Sequence, residues 1–421
     1  MWGESLTLSI MSTTDPSQRP LDLVVYGATG FTGGLVAEYL ARKGELAPER
    51  WAIAGRNVEK LRAVKENLVA IDPKLEALVV LEASSDAPET LREMTGKTRA
   101  VLSLVGPYAI YGEPLVAACV DTKTDYCDLT GEPSWWKEMI ARYHDAAVES
   151  GTLLVSCCGF DSIPYDLGVL YTTRYLPSGC EAEISGYMAS KAQFSGGTWA
   201  SAIHAMANAR ADQKKLSKAR SERSSSSESE PRAERPSKPR GLHRSKEVDR
   251  WVVPLPTIDP LVVRRSQRLG ATRESGVKVR YNHYLQLKSL TQGLMLGLGI
   301  AGVFGMSQLS WMRGMLQRYK PSGDGPTREV RSKSWFRVIF VAEGGGRRAV
   351  TEVRGGDPGY DETSKMISEC GLCLTSSRSS LPSQGGFSTP AAAFGDVLID
   401  RLEREGISFR LLEGHGGAAE S

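Results

Sequence analysis

The sequence predicts an α/β protein: a doubly wound, parallel Rossmann sheet followed by a second domain of mixed α+β structure. Three observations carry this. A glycine-rich turn, Gly27-Ala28-Thr29-Gly30-Phe31-Thr32-Gly33, joins the apolar run Leu21–Tyr26 to the helical stretch Leu35–Ala41. Apolar runs of strand length then alternate with helical segments as far as Ser156. Parallel strands are buried on both faces and read as unbroken hydrophobic runs. Finally, 421 residues exceed what one core holds, so two domains are expected.

The elements follow in order. Strand, glycine turn and helix form the arrangement that holds a dinucleotide pyrophosphate. Gly27 permits the tight turn, Gly30 lets backbone approach phosphate, and Gly33 lets the helix pack close to the strand. The helix N-terminus offers N–H groups and partial positive charge. The spacing is G-x-x-G-x-x-G rather than G-x-G-x-x-G. Trp51–Ala54 reads as the second strand and ends in Gly55-Arg56-Asn57. A free ribose 2′-OH is met by Asp or Glu at this point, and a 2′-phosphate by Arg. Arg56, with Lys60 one turn on, therefore favours NADP(H) over NAD(H).

Leu78–Leu81 is a third strand, and a helix runs through Pro88–Met94. Ala100–Val105 is a fourth strand, ending in Gly106-Pro107-Tyr108, with a helix over Pro114–Val120. Thr124–Leu129, the helix Trp135–Ser150 and the strand Gly151–Ser156 complete the domain, residues 21–156. Ligands bind beyond the carboxyl ends of such strands. The predicted cofactor contacts are Gly27, Ala28, Thr29, Gly30, Phe31, Thr32, Gly33, Arg56, Asn57, Ser85, Val105, Gly106, Pro107 and Tyr108.

A net charge of +3 gives no bulk reason to expect nucleic acid. The seven cysteines lack zinc spacing: Cys157-Cys158 are adjacent, and Cys370 and Cys373 form a lone C-x-x-C. No metal is expected, and dispersed cysteines fit a reducing compartment. Residues 1–20 read as a loose tail without the features of a secretory signal. Residues 211–248 are almost wholly polar and serine-rich, hence a disordered insert. Residues 413–421 should fray.

Residues 157–412 read as the substrate domain. Glu181–Ala189 and Val277–Leu287 are strand-like, and Ser334–Val341 with Arg348–Val353 suggests a hairpin around Gly344-Gly345-Gly346. Asp361–Leu374 and Ala393–Glu405 read as helices, and Ile407–Leu411 as a last strand. From Ser289 to Met312 no side chain is charged. The length would allow a membrane helix, but five glycines and short apolar content favour a helix that is buried or docked on a lipid surface. Trp311, Arg313, Arg318 and Lys320 suit an interfacial edge.

The motif set resembles the saccharopine dehydrogenase-like oxidoreductases. It comprises the glycine turn, Ala54-Gly55-Arg56-Asn57, Val105-Gly106-Pro107-Tyr108, Tyr111-Gly112-Glu113-Pro114, Tyr126–Glu132, Cys158–Gly168, Gly355–Tyr360 and Ser388–Ala391. The trans-acting enoyl reductases of bacterial lipid synthesis are the subgroup it resembles most. The resemblance implies a nicotinamide cofactor and a mixed α/β second domain, and leaves the substrate open. It also implies a cytoplasmic-side protein, with attachment to a membrane or lipid droplet as an open alternative.

These features point to an NADPH-dependent reductase that adds hydride to an activated double bond, such as an enoyl group carried by a synthase. The resulting enolate needs a hydrogen-bond donor and a proton. Tyr108, Tyr111 and Asp161 are the candidate catalytic residues. No histidine falls in a strand-end loop: His144 lies in an expected exposed helix, and His204, His243, His283 and His415 are scattered. Short-chain dehydrogenases use Tyr-x-x-x-Lys, matched here by Tyr39/Lys43, Tyr187/Lys191 and Tyr284/Lys288. The first sits on the helix after the glycine turn, its far end pointing away from the strand-end cleft. The others lie in strand-like stretches, where four residues span about 13 Å. All three read as coincidence. Two alternatives stay open. A saccharopine-type dehydrogenase would need cations for substrate carboxylates, with Arg264, Arg265, Arg347, Arg348 and Arg354 available. The other is a lipid-surface protein that binds nucleotide without turnover.

Overall fold

β1 (Leu21–Tyr26), β2 (Trp51–Gly55), β3 (Val79–Glu82), β4 (Thr98–Ser103), β5 (Asp125–Asp128) and β6 (Leu153–Val155) pair in parallel, as their apolar runs predict. The computed structural model describes residues 15–192, 203, 206–207, 239–319 and 325–414. Alternate residues of β1 enter different cores. Leu23 and Val25 join one hydrophobic cluster, while Val24 and Tyr26 join another on the opposite face. The seventh strand of this sheet arrives late. Gly386–Ser388, β13 in chain order, pairs in parallel with β6, giving the order β13-β6-β5-β4-β1-β2-β3. The boundary at residue 156 is thus a boundary of the chain's first pass, and the sheet itself closes with residues 386–388.

The second sheet contains β7 (Glu181–Lys191), β8 (His243–Ser245), β9 (Arg250–Pro254), β10 (Lys278–Leu287), β11 (Trp335–Gly344), β12 (Arg347–Gly355) and β14 (Ser408–Glu413). Its order is β14-β12-β11-β7-β10-β9-β8. β7 and β10 run parallel and the remaining neighbours antiparallel. The expected hairpin is β11–β12.

The helix Asp361–Ser376 belongs to the second half of the sequence yet packs on the first sheet. A Cβ at Gly371 would stand 2.9 Å from Leu102 and 3.2 Å from Leu23. A buried ionic clamp locks it there. Glu369 accepts from Tyr39 Oη at 2.6 Å and pairs with Arg401 and, at 3.4 Å, with Lys43. Tyr39 and Lys43 thus serve this joint, and Tyr187 and Tyr284 lie in strands as expected, stacked at 5.6 Å.

Four expectations change. The tail is not loose up to residue 20. Arg19 is buried and donates to Thr98 O at 2.7 Å, Thr124 Oγ1 at 2.8 Å and Thr122 O. The polar insert stops short of residue 248, because His243–Ser245 is the edge strand β8; residues 211–238 lie outside the described residues. The C-terminal tail begins later, since β14 runs to Glu413. The apolar segment forms the helix Leu290–Ser307, and it is not buried: Met295 is 73% and Leu298 74% exposed.

Candidate functional site

The carboxyl ends of β1, β4, β5 and β6 stand side by side, and the loops beyond them build the site. Gly27 has φ +94°, which L side chains rarely adopt, and a Cβ there would lie 2.7 Å from Val105 Cγ2. A Cβ at Gly33 would fall 2.2 Å from the Gly27 carbonyl oxygen, so the turn closes against the helix Phe31–Lys43 only because position 33 is bare. Gly30 differs. It is extended, and its added Cβ would meet nothing tighter than Gly27 O at 3.4 Å. Gly30 also provides no side-chain cap, so the first-turn N–H groups remain available to an anion. Phe31 turns towards the second half of the chain, edge-on to Tyr360 at 5.1 Å and beneath the Arg331 guanidinium.

At the end of β2, Arg56 is exposed and has no ion pair among the described residues. Asn57 accepts from Lys60 N at 2.8 Å, capping the helix Val58–Val69. Ser85 is tied within the protein: its hydroxyl donates to Tyr111 O at 3.0 Å and lies 3.2 Å from Tyr26 Oη.

Gly106 and Pro107 lead into the helical turn Tyr108–Tyr111. Glu132 pins that turn, accepting from the Tyr108 and Ala109 amides at 2.9 Å each. The Tyr108 side chain is buried. Its hydroxyl donates to Ser103 O at 2.8 Å and accepts from Leu129 N at 3.0 Å. Burial raises its pKa well above the usual tyrosine value. Tyr108 is therefore a strut between β4 and β5, its hydroxyl bonded within the protein. Tyr111 is half-buried.

Asp161 lies in the loop after β6. It touches solvent, yet protein surrounds its carboxyl on the other sides, and a Cβ at Gly131 would stand 3.9 Å from Oδ2. Behind it lies a polar group that sequence reasoning missed. Asp259 and His283 are buried, and Asp259 Oδ2 is 3.8 Å from His283 Nδ1. Thr257 Oγ1 joins them, bonded to Asp259 and 2.9 Å from His283 Nε2, which also lies 2.9 Å from Leu255 O. Tyr165 stacks edge-on to His283 at 5.1 Å. Asp259 Oδ1, His283 Nδ1, Ser162 Oγ, Tyr165 Oη and Tyr281 Oη have no hydrogen-bond partner among the described residues. Buried groups without partners are costly and concentrate where protons or ligands are handled. Burial raises the Asp161 carboxyl, Asp259 raises it further, and His283 opposes them. Burial also pushes His283 down to about 4, so the imidazole is neutral at pH 7. The sequence signal for this group was weak: an aspartate at the start of the helix Asp259–Arg268 and a histidine inside an apolar strand. His144 too is engaged, its Nδ1 accepting from Phe387 N at 3.0 Å.

Residues 23–155 match the family model for the saccharopine dehydrogenase NADP binding domain. The chain is 36% identical over 416 residues to the "Putative trans-acting enoyl reductase Rv2449c" of Mycobacterium tuberculosis, covering 93% of this chain and 97% of that one. It belongs to the saccharopine dehydrogenase-like oxidoreductases. The human protein of that name is 33% identical over 430 residues, covering 94% and 98% of the two chains. A Caenorhabditis elegans relative named "Lipid droplet localized protein" is 31% identical over 419 residues, covering 93% and 98%.

In this family's NADP-binding domain the cofactor is NADP(H), and the residues present fit it. The turn 27–33 leaves one bare face at Gly30 above an uncapped helix N-terminus, which suits a pyrophosphate. Arg56 stands unpaired among the described residues where a 2′-phosphate would need a cation.

Proposed function

We propose that this oxidoreductase reduces the activated carbon–carbon double bond of an enoyl thioester. Bound NADPH supplies the hydride, from C4 of its nicotinamide. The chain orients the reactants and manages the proton. Hydride reaching the β-carbon leaves an enolate, and Asp161 protonates the α-carbon. Its contact with solvent allows it to be recharged. Burial and the Asp259 carboxylate keep its proton bound at higher pH than an ordinary aspartate would, while His283 opposes them.

One observation carries this: a carboxyl, Asp161, stands in a strand-end loop in front of the buried Asp259–His283 pair, and burial and Asp259 raise its pKa above that of an ordinary aspartate, which suits an acid. Two of the arginines a saccharopine-type substrate could use are committed elsewhere. Arg265 donates to Phe387 O at 2.5 Å, and Arg348 pairs with Glu247 and Glu413. The relative named as an enoyl reductase supports the same reading. NADPH consumption should be measured against a panel of enoyl-CoA thioesters and against saccharopine. Turnover of an enoyl thioester is expected. Turnover of saccharopine alone would overturn the proposal. Asp161→Asn should lower kcat about 10²–10⁴-fold and leave NADPH affinity unchanged.

A lipid-surface location is supported by the helix Leu290–Ser307, which presents Leu294, Met295, Leu298 and Ile300 to solvent without a charged residue. Trp311, 66% exposed, follows it. Such a helix lies in a lipid interface, and the worm relative's name supports this. Serine at Leu294 and Leu298 should abolish flotation with vesicles.

A further inference from the structure

We propose that the foot of the helix Leu290–Ser307 is a binding site for the phosphate-bearing headgroup of an anionic lipid. The inference rests on the lipid-surface reading above and adds a defined site to it. A surface cavity at the edge of the second sheet is lined by Arg244, Val248, Asp249, Arg250, Trp251 and Lys288. The edge strand β8, the turn after it, the start of β9 and the residue following β10 form its walls.

The charges there do not cancel. Asp249 is taken by Arg244 at 2.7 Å, and Glu247 by Arg348 at 2.6 Å. Lys246, Arg250 and Lys288 are exposed and have no ion pair among the described residues. The cavity therefore offers uncompensated positive charge beside the half-exposed indole of Trp251, a ring suited to the headgroup layer.

The apolar helix begins directly beside these cations. A Cβ at Gly293 would lie 3.1 Å from Leu242 and Leu287, so the first turn seats on the second sheet. Exposed Leu294 and Met295 lie one turn into the helix that begins two residues after Lys288. Cations and apolar side chains thus reach the two layers of a lipid surface together. The combination selects a phosphate tethered to an acyl chain over a soluble one.

Vesicle flotation tests this with the full chain. Wild type should partition more strongly onto phosphatidylcholine vesicles containing phosphatidylglycerol than onto phosphatidylcholine alone, and added salt should erase the difference. Arg250→Ala/Lys288→Ala should weaken anionic binding by roughly fivefold per cation, leaving neutral binding unchanged. An unchanged melting temperature and NADPH affinity would show that the variant is folded. Equal wild-type partition onto both vesicles, or a variant that keeps the preference, would overturn the site while the lipid-surface reading stands. Displacement of the protein from vesicles by glycerol phosphate would assign the cavity to a soluble phosphate and overturn it too. Failure to bind either vesicle would defeat the lipid-surface reading itself.

Discussion

A methyl group at Gly33 and an isopropyl group at Gly30 should damage this protein in opposite ways. In Gly33→Ala the new Cβ would sit 2.2 Å from Gly27 O, 2.8 Å from Gly27 C and 2.9 Å from Ala28 Cα. All three are backbone atoms, so no side chain can swing aside. Reaching ordinary contact requires the Gly27 carbonyl to retreat by about 1 Å. That carbonyl also accepts from Gly30 N at 3.0 Å, so the whole turn must move. Forced overpacking costs about 1–3 kcal/mol. The melting temperature without cofactor should fall by roughly 5 °C. Gly30 has extended backbone that valine adopts readily, and its Cβ meets nothing closer than 3.4 Å. Gly30→Val should therefore melt within about 1 °C of wild type. Its side chain occupies the face left for pyrophosphate, and NADPH affinity should drop at least ~100-fold, the loss of one or two charge-assisted hydrogen bonds. Calorimetry without cofactor and fluorescence titration with NADPH measure the two effects separately. A Gly30→Val protein that binds NADPH normally would show that the turn is not the phosphate cradle. Unchanged melting of Gly33→Ala would refute the packing argument.

Arg56→Ala should leave the melting temperature unchanged and reduce the preference for NADPH over NADH by roughly tenfold or more, read from the two dissociation constants. Equal affinity of wild type for both cofactors would exclude that role. Arg19→Leu leaves Thr98 O and Thr122 O without their donor in a buried site, and denaturant unfolding should show a loss of about 2–4 kcal/mol. Asp128 is buried with its pKa raised to about 6, mainly by that burial. A carboxyl whose folded pKa lies above its unfolded value stabilises fully below the unfolded pKa and loses that contribution as pH rises through the folded one. The stability advantage of wild type over Asp128→Asn should thus be greatest near pH 4 and shrink towards pH 6 and above, and the opposite slope in pH-dependent melting would contradict it.

The local signals were legible without the fold. Glycine spacing, apolar runs and the strand-end Arg56 depend on backbone space and on neighbours a few residues away, and each stands in the structure where the sequence placed it. The same holds for the hairpin around Gly344–Gly346, which turn chemistry and alternation define together. Arg19 escaped notice because nothing nearby in the chain reveals that two distant carbonyls and a threonine hydroxyl converge on it. Tyr108 looked like a proton donor because its loop ends β4, whereas the hydroxyl's two bonds, to Ser103 and Leu129, exist only once β4 and β5 are paired.

The amino-acid sequence by itself determined the dinucleotide-binding sheet and its glycine turn, because those follow from apolar patterning and short-range sterics. Only the tertiary structure decided that residues 386–388 complete that sheet. It alone brought Asp259 and His283 behind Asp161 from far along the chain, and left the helix Leu290–Ser307 uncovered. Burial and charge–charge contact are properties of packed surfaces. Chain segments far apart in sequence acquire them only when two sheets and their helices come together.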